Sequence, residues 1–107
     1  MPDALLVSVG GGGLAGGIAC WFAGRTRIVA LEPATSPFLT TGTAGAHRVE
    51  GVATGFWPPH LKRGAFDEAR AIDEDEARAM AQRAAREEGI FAGTSSGMNL
   101  VGALQLA

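Results

Sequence analysis

Residues 4–14 read ALLVSVGGGGL, an apolar run that is followed directly by four glycines. The apolar run predicts a buried strand over residues 4–9, and the pattern behind it predicts a helix over residues 14–23. Glycines at a strand-to-helix turn leave backbone N–H groups in a concave loop without any Cβ, and the positive end of the helix dipole points into that loop. We therefore expect a phosphate group to bind the backbone of Gly10, Gly11, Gly12, Gly13 and Leu14.

Composition limits the classes of function that need to be considered. The chain has 107 residues, enough for one small domain or part of one, and a net charge of −2. That charge offers no electrostatic footprint for nucleic acid or an anionic membrane, and no apolar run approaches the ~20 residues that cross a bilayer. No basic region precedes the first apolar run, as a secretory signal would require. We expect a cytoplasmic protein that acts on a small molecule, with no nucleic-acid and no membrane partner.

The first helix and a second strand complete a βαβ unit. Gly24 suits the position just after the end of the helix, and residues 27–31 form a second apolar run that ends at Glu32-Pro33. Two strands joined by a helix within about thirty residues pair in parallel. The sequence therefore predicts an α/β fold with a parallel sheet.

Further elements are predicted downstream of this unit. Residues 33–66 are rich in Gly and Pro and predict a long loop with short helical turns near residues 37–41 and 59–62. Residues 68–72 predict a third strand. Asp73 then predicts a helix N-cap, with Glu76 as its partner in a capping box.

The last part of the chain predicts a strand and a helix around a polar turn. Gly89 predicts the end of the preceding helix, residues 90–92 predict a short buried strand, and the last helix runs through Ala107. The predicted buried stripe of that helix consists of Leu100, Ala103, Leu104 and Ala107. The turn over residues 93–97 is interpreted as hydroxyls and amides that line a ligand pocket. The alternative is that Thr94 or Ser95 only caps the helix.

A dinucleotide-binding domain is a competing interpretation of the glycine run. Gly11, Gly13 and Gly16 satisfy G-x-G-x-x-G after a strand, and Glu32 follows about twenty residues later, where such a domain carries its ribose-binding acid. The short helix between the strands and the proline directly after Glu32 argue against this interpretation.

The sequence gives little support for a metal site or for a lysine that takes part in catalysis. His47 and His60 are isolated from other ligand types, so no metal site is predicted. Lys62 is the only lysine, and it is interpreted as an exposed surface charge. No catalytic residue is predicted within the chain.

Four motifs occur together in one order. They are residues 9–17 (VGGGGLAGG), residues 28–33 (IVALEP) with Ser36-Pro37 behind them, residues 47–56 (HRVEGVATGF) and residues 87–97 (EEGIFAGTSSG). Together they resemble the fold-type II pyridoxal-phosphate enzymes, a family that includes cysteine synthase, cystathionine β-synthase, serine and threonine dehydratases and the tryptophan synthase β chain. The first motif looks like the phosphate loop of that family, and the other three are similar to cysteine synthase.

The resemblance implies a fold, a cofactor and an activity. The fold would be part of the family's three-layer parallel-sheet domain, and residues 10–14 would hold the phosphate of pyridoxal 5′-phosphate. The enzyme would add a nucleophile such as sulfide to an O-activated serine, as cysteine synthase does. A serine/threonine dehydratase of the same family is an alternative, and a noncatalytic phosphate-binding module is an alternative from another class. The substrate or cofactor pocket would include Gly51, Thr54, Gly93, Thr94 and Ser95.

The resemblance also implies that parts of such an enzyme lie outside this sequence. Family members carry their Schiff-base lysine in an earlier segment, and Lys62 does not match that motif. We therefore expect residues 1–107 to be a partial large, cofactor-binding domain, inactive alone and part of a homodimer when full length. Leu14 stands where cysteine synthases usually have a threonine, which leaves phosphate binding to backbone amides.

Overall fold

Three parallel strands and four helices follow one another in the computed structural model, which describes residues 1–107. None of the helices is long and apolar enough to span a membrane. The strands form one sheet in the order β1-β2-β3. The elements are β1 (Ala4–Ser8), α1 (Gly13–Phe22), β2 (Arg27–Pro33), α2 (Phe38–Thr41), β3 (Glu68–Ile72), α3 (Glu74–Glu88) and α4 (Thr94–Leu106).

The central strand β2 organises the core. Its residues 28–33 are all buried, since both neighbouring strands pair with it in parallel and both faces of the sheet are covered. Ile28 and Ala30 point to the side of α1, whereas Val29 and Leu31 point to the side of α3 and α4. A parallel strand that is covered on both faces is apolar without interruption, as this one is up to Leu31. The predicted α/β class and the three-layer arrangement are confirmed.

Several local predictions are confirmed by the structure. β3 has the predicted bounds, and Gly24 and Gly89 follow the ends of α1 and α3 with φ values of 71° and 69°. Asp73 caps α3 by accepting a hydrogen bond from the N–H of Glu76 at 3.0 Å. These features depend on interactions between residues a few positions apart, so the sequence is sufficient to predict them.

The short strand predicted over residues 90–92 is wrong. Ile90 and Ala92 line a groove together with Ala4 and Leu5 of β1, but residues 90–92 make no ladder hydrogen bonds with that strand. The side chain of Phe91 is 98% exposed. A strand is defined by hydrogen bonds to a neighbour, and apolar side chains alone do not supply them.

The buried stripe predicted for α4 is also wrong. Leu100 and Leu104 are exposed, and the helix packs instead through Gly97, Met98, Val101 and Gly102. A Cβ at Gly97 would lie 1.9 Å from the carbonyl oxygen of Ala77 in α3. Glycine therefore lets the backbones of α3 and α4 touch, and this contact rotates the leucines away from the core.

One surface carboxylate links β2 and β3. Glu68 pairs with Arg70 on its own strand and with Arg27 on the neighbouring strand. The hydrogen bond from Arg70, and then that from Arg27, holds the pKa of Glu68 below its ordinary value. A carboxylate with a lowered pKa in the folded state stabilises the fold at neutral pH, and this contribution is lost as the pH falls through that pKa.

We expect Gly97→Ala to lower the free energy of unfolding by about 1–3 kcal/mol, because the new methyl group forces α4 away from α3. Urea denaturation followed by circular dichroism measures the change. Gly17→Ala on α1 is the matched control: its Cβ meets no atom within 4 Å, so it should raise stability by about 0.5–1 kcal/mol. Equal stability of the two variants would contradict the close helix contact.

Candidate functional site

The glycine turn lies where β1 ends and α1 begins. The N–H of Val9 donates to the carbonyl of Leu31 at 3.1 Å and closes the sheet ladder, and the N–H of Gly16 donates to the carbonyl of Gly12 at 2.8 Å. The N–H groups of Gly13, Leu14 and Ala15 precede this first helical bond, so they have no partner within the helix. No side chain caps α1 either. These amides and the helix dipole are therefore available to an anion.

The four glycines divide into two kinds. A Cβ at Gly10 would lie 2.1 Å from the carbonyl oxygen of Gly51, and one at Gly12 would lie 2.8 Å from Cβ of Pro58. These two positions are glycine because other parts of the chain press against them. A Cβ at Gly11 or Gly13 would meet nothing within 4 Å. The space in front of Gly11 and Gly13 is thus left open by the protein, as a phosphate-binding turn requires.

This turn forms one wall of a cleft of about 410 Å³. Two other segments complete the cleft, residues 50–52 from the long loop and the first turns of α4. Among the predicted site residues, the structure brings together Gly10, Gly11, Gly12, Gly13, Leu14, Gly51 and Ser95. Segments that are far apart in sequence therefore meet at the carboxyl end of the sheet, where ligands of parallel α/β folds bind.

The charge balance of the cleft assigns anion binding to the backbone. Glu50 is the only charged residue in its lining, and no Lys or Arg contributes. Leu14 is 70% exposed and brings no hydroxyl group. A phosphate in this cleft would be held by backbone amides at the N-terminus of α1, so the residues present fit such a group.

Three predicted site residues lie outside the cleft lining. Thr54 borders a smaller neighbouring pocket, and its hydroxyl donates to the carbonyl of Phe56 at 3.1 Å. Gly93 is the N-cap of α4 without a side-chain cap, so neither Thr94 nor Ser95 serves as the N-cap. A ligand-binding role for any of the ten site residues stays a prediction.

Besides Glu50, the sequence analysis missed two polar residues of the cleft that hydrogen-bond to each other. Ser8 at the end of β1 donates a hydrogen bond to the side-chain oxygen of Asn99 at 2.6 Å, and both residues line the cleft. Asn99 follows Ser95 by one helical turn. This i,i+4 spacing places both residues on one face of the helix, so it could have predicted that Asn99 lies near Ser95. Only the packing of α4 against β1 shows that the two side chains meet.

Glu32 cannot serve as the ribose acid of a dinucleotide-binding domain. Its side chain is 2% exposed, and its two carboxylate oxygens accept hydrogen bonds from the N–H groups of Leu39 at 2.7 Å and Thr40 at 2.8 Å. The carboxylate thus satisfies the first amides of α2. Its role is structural, which removes the main support for that alternative.

The only lysine lies at a second cleft, of about 400 Å³, on another face of α1. Lys62 is exposed there, as predicted, beside His60 and Arg63. The glycine turn does not border this cleft. No three or more His, Cys, Asp or Glu side chains come together in a way that could hold a metal ion.

The fold and the cleft define a parallel α/β domain with an open glycine turn at a helix N-terminus, and comparison with known proteins identifies its family. Residues 1–107 match the family that is described as “pyridoxal-phosphate dependent enzyme”. The chain belongs to this family.

The chain is similar to a cysteine synthase, an O-ureido-L-serine synthase and a hydrogen sulfide-producing enzyme. It is 39% identical to cysteine synthase of Staphylococcus aureus over 98% of this chain and 35% of that protein. The crystal structure of an O-ureido-L-serine synthase matches with a TM-score of 0.93 and 34% identity, over 99% of this chain and 34% of the other. A hydrogen sulfide-producing enzyme of Fusobacterium nucleatum matches with a TM-score of 0.88 and 37% identity, over 97% and 32%. The chain thus spans about a third of the length of these relatives.

We expect Glu32→Gln to lower the free energy of unfolding by about 1–3 kcal/mol, because one of the two buried amides then faces an NH₂ group. Urea denaturation measures the loss. Phosphate binding should be unchanged, as Glu32 does not border the cleft at the glycine turn. Glu88→Gln, at the exposed end of α3, is the control and should stay within about 0.5 kcal/mol of the wild type. Unaltered stability with loss of dinucleotide binding would restore the alternative role of Glu32.

Proposed function

We propose that this chain is the phosphate-binding part of a pyridoxal-phosphate-dependent β-replacement enzyme of the cysteine synthase type. The observation that carries the proposal is the open space in front of Gly11 and Gly13 at the N-terminus of α1. The similarity to cysteine synthase supports a reaction in which an O-activated serine and sulfide give cysteine. Residues 1–107 would then be part of the large domain, and the full-length enzyme would be a cytoplasmic homodimer.

Each part of the cleft has a distinct task in this proposal. The amides of residues 10–14 hold the phosphate of the cofactor, and Gly51 and Ser95 border the space beyond it. The bound cofactor supplies an electron sink for the bonds around the α-carbon of an amino-acid substrate. The chain's own contribution is to bind and orient, because no general base lies in the cleft apart from exposed Glu50.

We also propose that residues 1–107 do not carry the Schiff-base lysine and are inactive alone. Lys62 borders the second cleft and not the one that contains the glycine turn. A noncatalytic phosphate-binding module would also lack a Schiff-base lysine. Phosphate binding by itself therefore does not distinguish part of an enzyme from such a module. Turnover by a full-length protein that contains this sequence would decide for the enzyme.

We expect Gly11→Ala to weaken phosphate-ester binding by at least about tenfold, since the methyl group would occupy space needed by the ligand. Isothermal titration with pyridoxine 5′-phosphate measures this effect. That probe has no aldehyde, so it reports phosphate and ring binding without any lysine. The stability of Gly11→Ala should remain near the wild-type value, because its Cβ meets no protein atom within 4 Å.

Gly10→Ala and Gly17→Ala are the controls for that experiment. Gly10→Ala should unfold the chain or lower its stability strongly, because its Cβ would clash with Gly51. Gly17→Ala adds a methyl group to the same helix away from the cleft lining, so binding should be retained. Full binding by Gly11→Ala would refute phosphate binding at the turn.

Lys62→Ala should leave the affinity for pyridoxal 5′-phosphate unchanged, and pyridoxal and pyridoxine phosphates should bind alike. The physical reason is that the amine borders another cleft. Isothermal titration compares the affinities, and visible absorption during the pyridoxal phosphate titration detects any Schiff base. A stable Schiff-base band that disappears in Lys62→Ala would contradict the assignment of Lys62 as a surface charge.

A further inference from the structure

The loop over residues 47–53, which we term the rim loop, borders the cleft through Glu50, Gly51 and Val52. It is anchored at both ends. The N–H of Arg48 donates to the carboxylate of Glu74 at the start of α3 at 2.8 Å, and the N–H of Ala53 donates to the carbonyl of Val9 at 2.9 Å. Between these anchors, the carbonyl of Gly51 presses against Gly10. The shape of this loop therefore sets one wall of the cleft.

His47 closes the rim loop with both of its ring nitrogens. The N–H of Val49 lies 3.2 Å from Nδ1, so Nδ1 accepts and carries no proton. Nε2 of the neutral ring then carries the proton and donates to the carbonyl of Ala53 at 3.0 Å. One imidazole ring thus joins the beginning of the loop to its end.

The residue that His47 holds is conformationally unusual. Ala53 has φ 53° and is the only non-glycine residue with positive φ. A left-handed backbone is unfavourable for alanine, so it persists only where surrounding contacts impose it. Here the N–H of Ala53 is held by Val9 and its carbonyl by His47. Such imposed strain is concentrated at ligand-binding sites.

We infer that His47 is a positioning residue, which holds the rim loop against the glycine turn so that the cleft is preformed for its ligand. The inference rests on the proposed binding of a phosphate ester in this cleft. His47 does not itself border the cleft. His47 holds the carbonyl of Ala53, and Ala53 in turn fixes the positions of Gly51 and Val52. Without the bond, part of the binding energy would be used to order the loop.

Three substitutions at position 47 separate the two bonds of the ring. His47→Gln can place an N–H near the position of Nε2 and keep the bond to Ala53. His47→Asn can place an oxygen near the position of Nδ1 and keep only the turn bond from Val49. His47→Ala removes both. We expect pyridoxine 5′-phosphate to bind about three- to tenfold more weakly to the Ala and Asn variants, and nearly as tightly to the Gln variant as to the wild type.

Calorimetric titration of the full chain, at a temperature where circular dichroism shows every variant folded, makes this comparison. Rescue by Gln but not by Asn supports the positioning role, because a general loss of stability would not follow that order. Equal affinity of the wild type and the three variants for pyridoxine 5′-phosphate would overturn the positioning role. Rescue by Asn alone would overturn it as well. Nitrogen NMR of the His47 ring provides a check without ligand, and a proton on Nδ1 at neutral pH would also overturn the inference.

Failure of the proposed function remains distinguishable from failure of this inference. A wild-type chain that binds no pyridoxine 5′-phosphate would refute the proposed function and, with it, preorganisation for that ligand. Binding by the wild type together with unchanged binding by His47→Ala would refute the role of His47 alone. Amide shifts of Gly10 and Gly51 that move in the Ala and Asn variants but not in the Gln variant would show directly that the Ala53 bond positions the rim.

Discussion

The close backbone contact between Gly10 and Gly51 is the constraint on which the cleft depends. It joins the turn after β1 to a loop some forty residues later, and it has no room for a side chain at Gly10. Because the carbonyl of Gly51 occupies that position, residues 50–52 become a wall beside the helix N-terminus. The glycine turn and the rim loop are therefore one structural unit, although neither predicts the other in sequence.

The sheet explains why this unit lies where it does. β2 is covered on both faces, so the faces of the sheet are apolar, and the cleft forms at the carboxyl ends of the strands. α4 can reach this end because Gly97 lets it touch α3 and Gly102 lets it lie on Leu31. That placement puts Ser95 and Asn99 at the cleft. Glycine thus allows close packing at Gly97 and Gly102 and leaves open space at Gly11 and Gly13.

A phosphate in this cleft would be held by geometry more than by charge. Its lining contains no cationic side chain, so the attraction for a phosphate must come from amides that α1 leaves unpaired. Such donors are effective only when they are held in place before the ligand arrives, since ordering them on binding would reduce the affinity. The contacts of His47 and Ala53 at the back of the rim loop are consistent with this requirement.

The sequence by itself determined the features that depend on neighbours along the chain: the βαβ unit, the bounds of β3, the Asp73 cap, the glycines behind α1 and α3, and the glycine turn between β1 and α1. Its motifs also indicated the family, because four of them keep one order and spacing. Tertiary structure decided which glycines are packed against other parts of the chain and which face open space, and it tied Glu32 to α2. It also exposed residues 90–92 and the leucines of α4. Each of these outcomes depends on atoms that are distant in sequence, and local periodicity carries no information about such contacts.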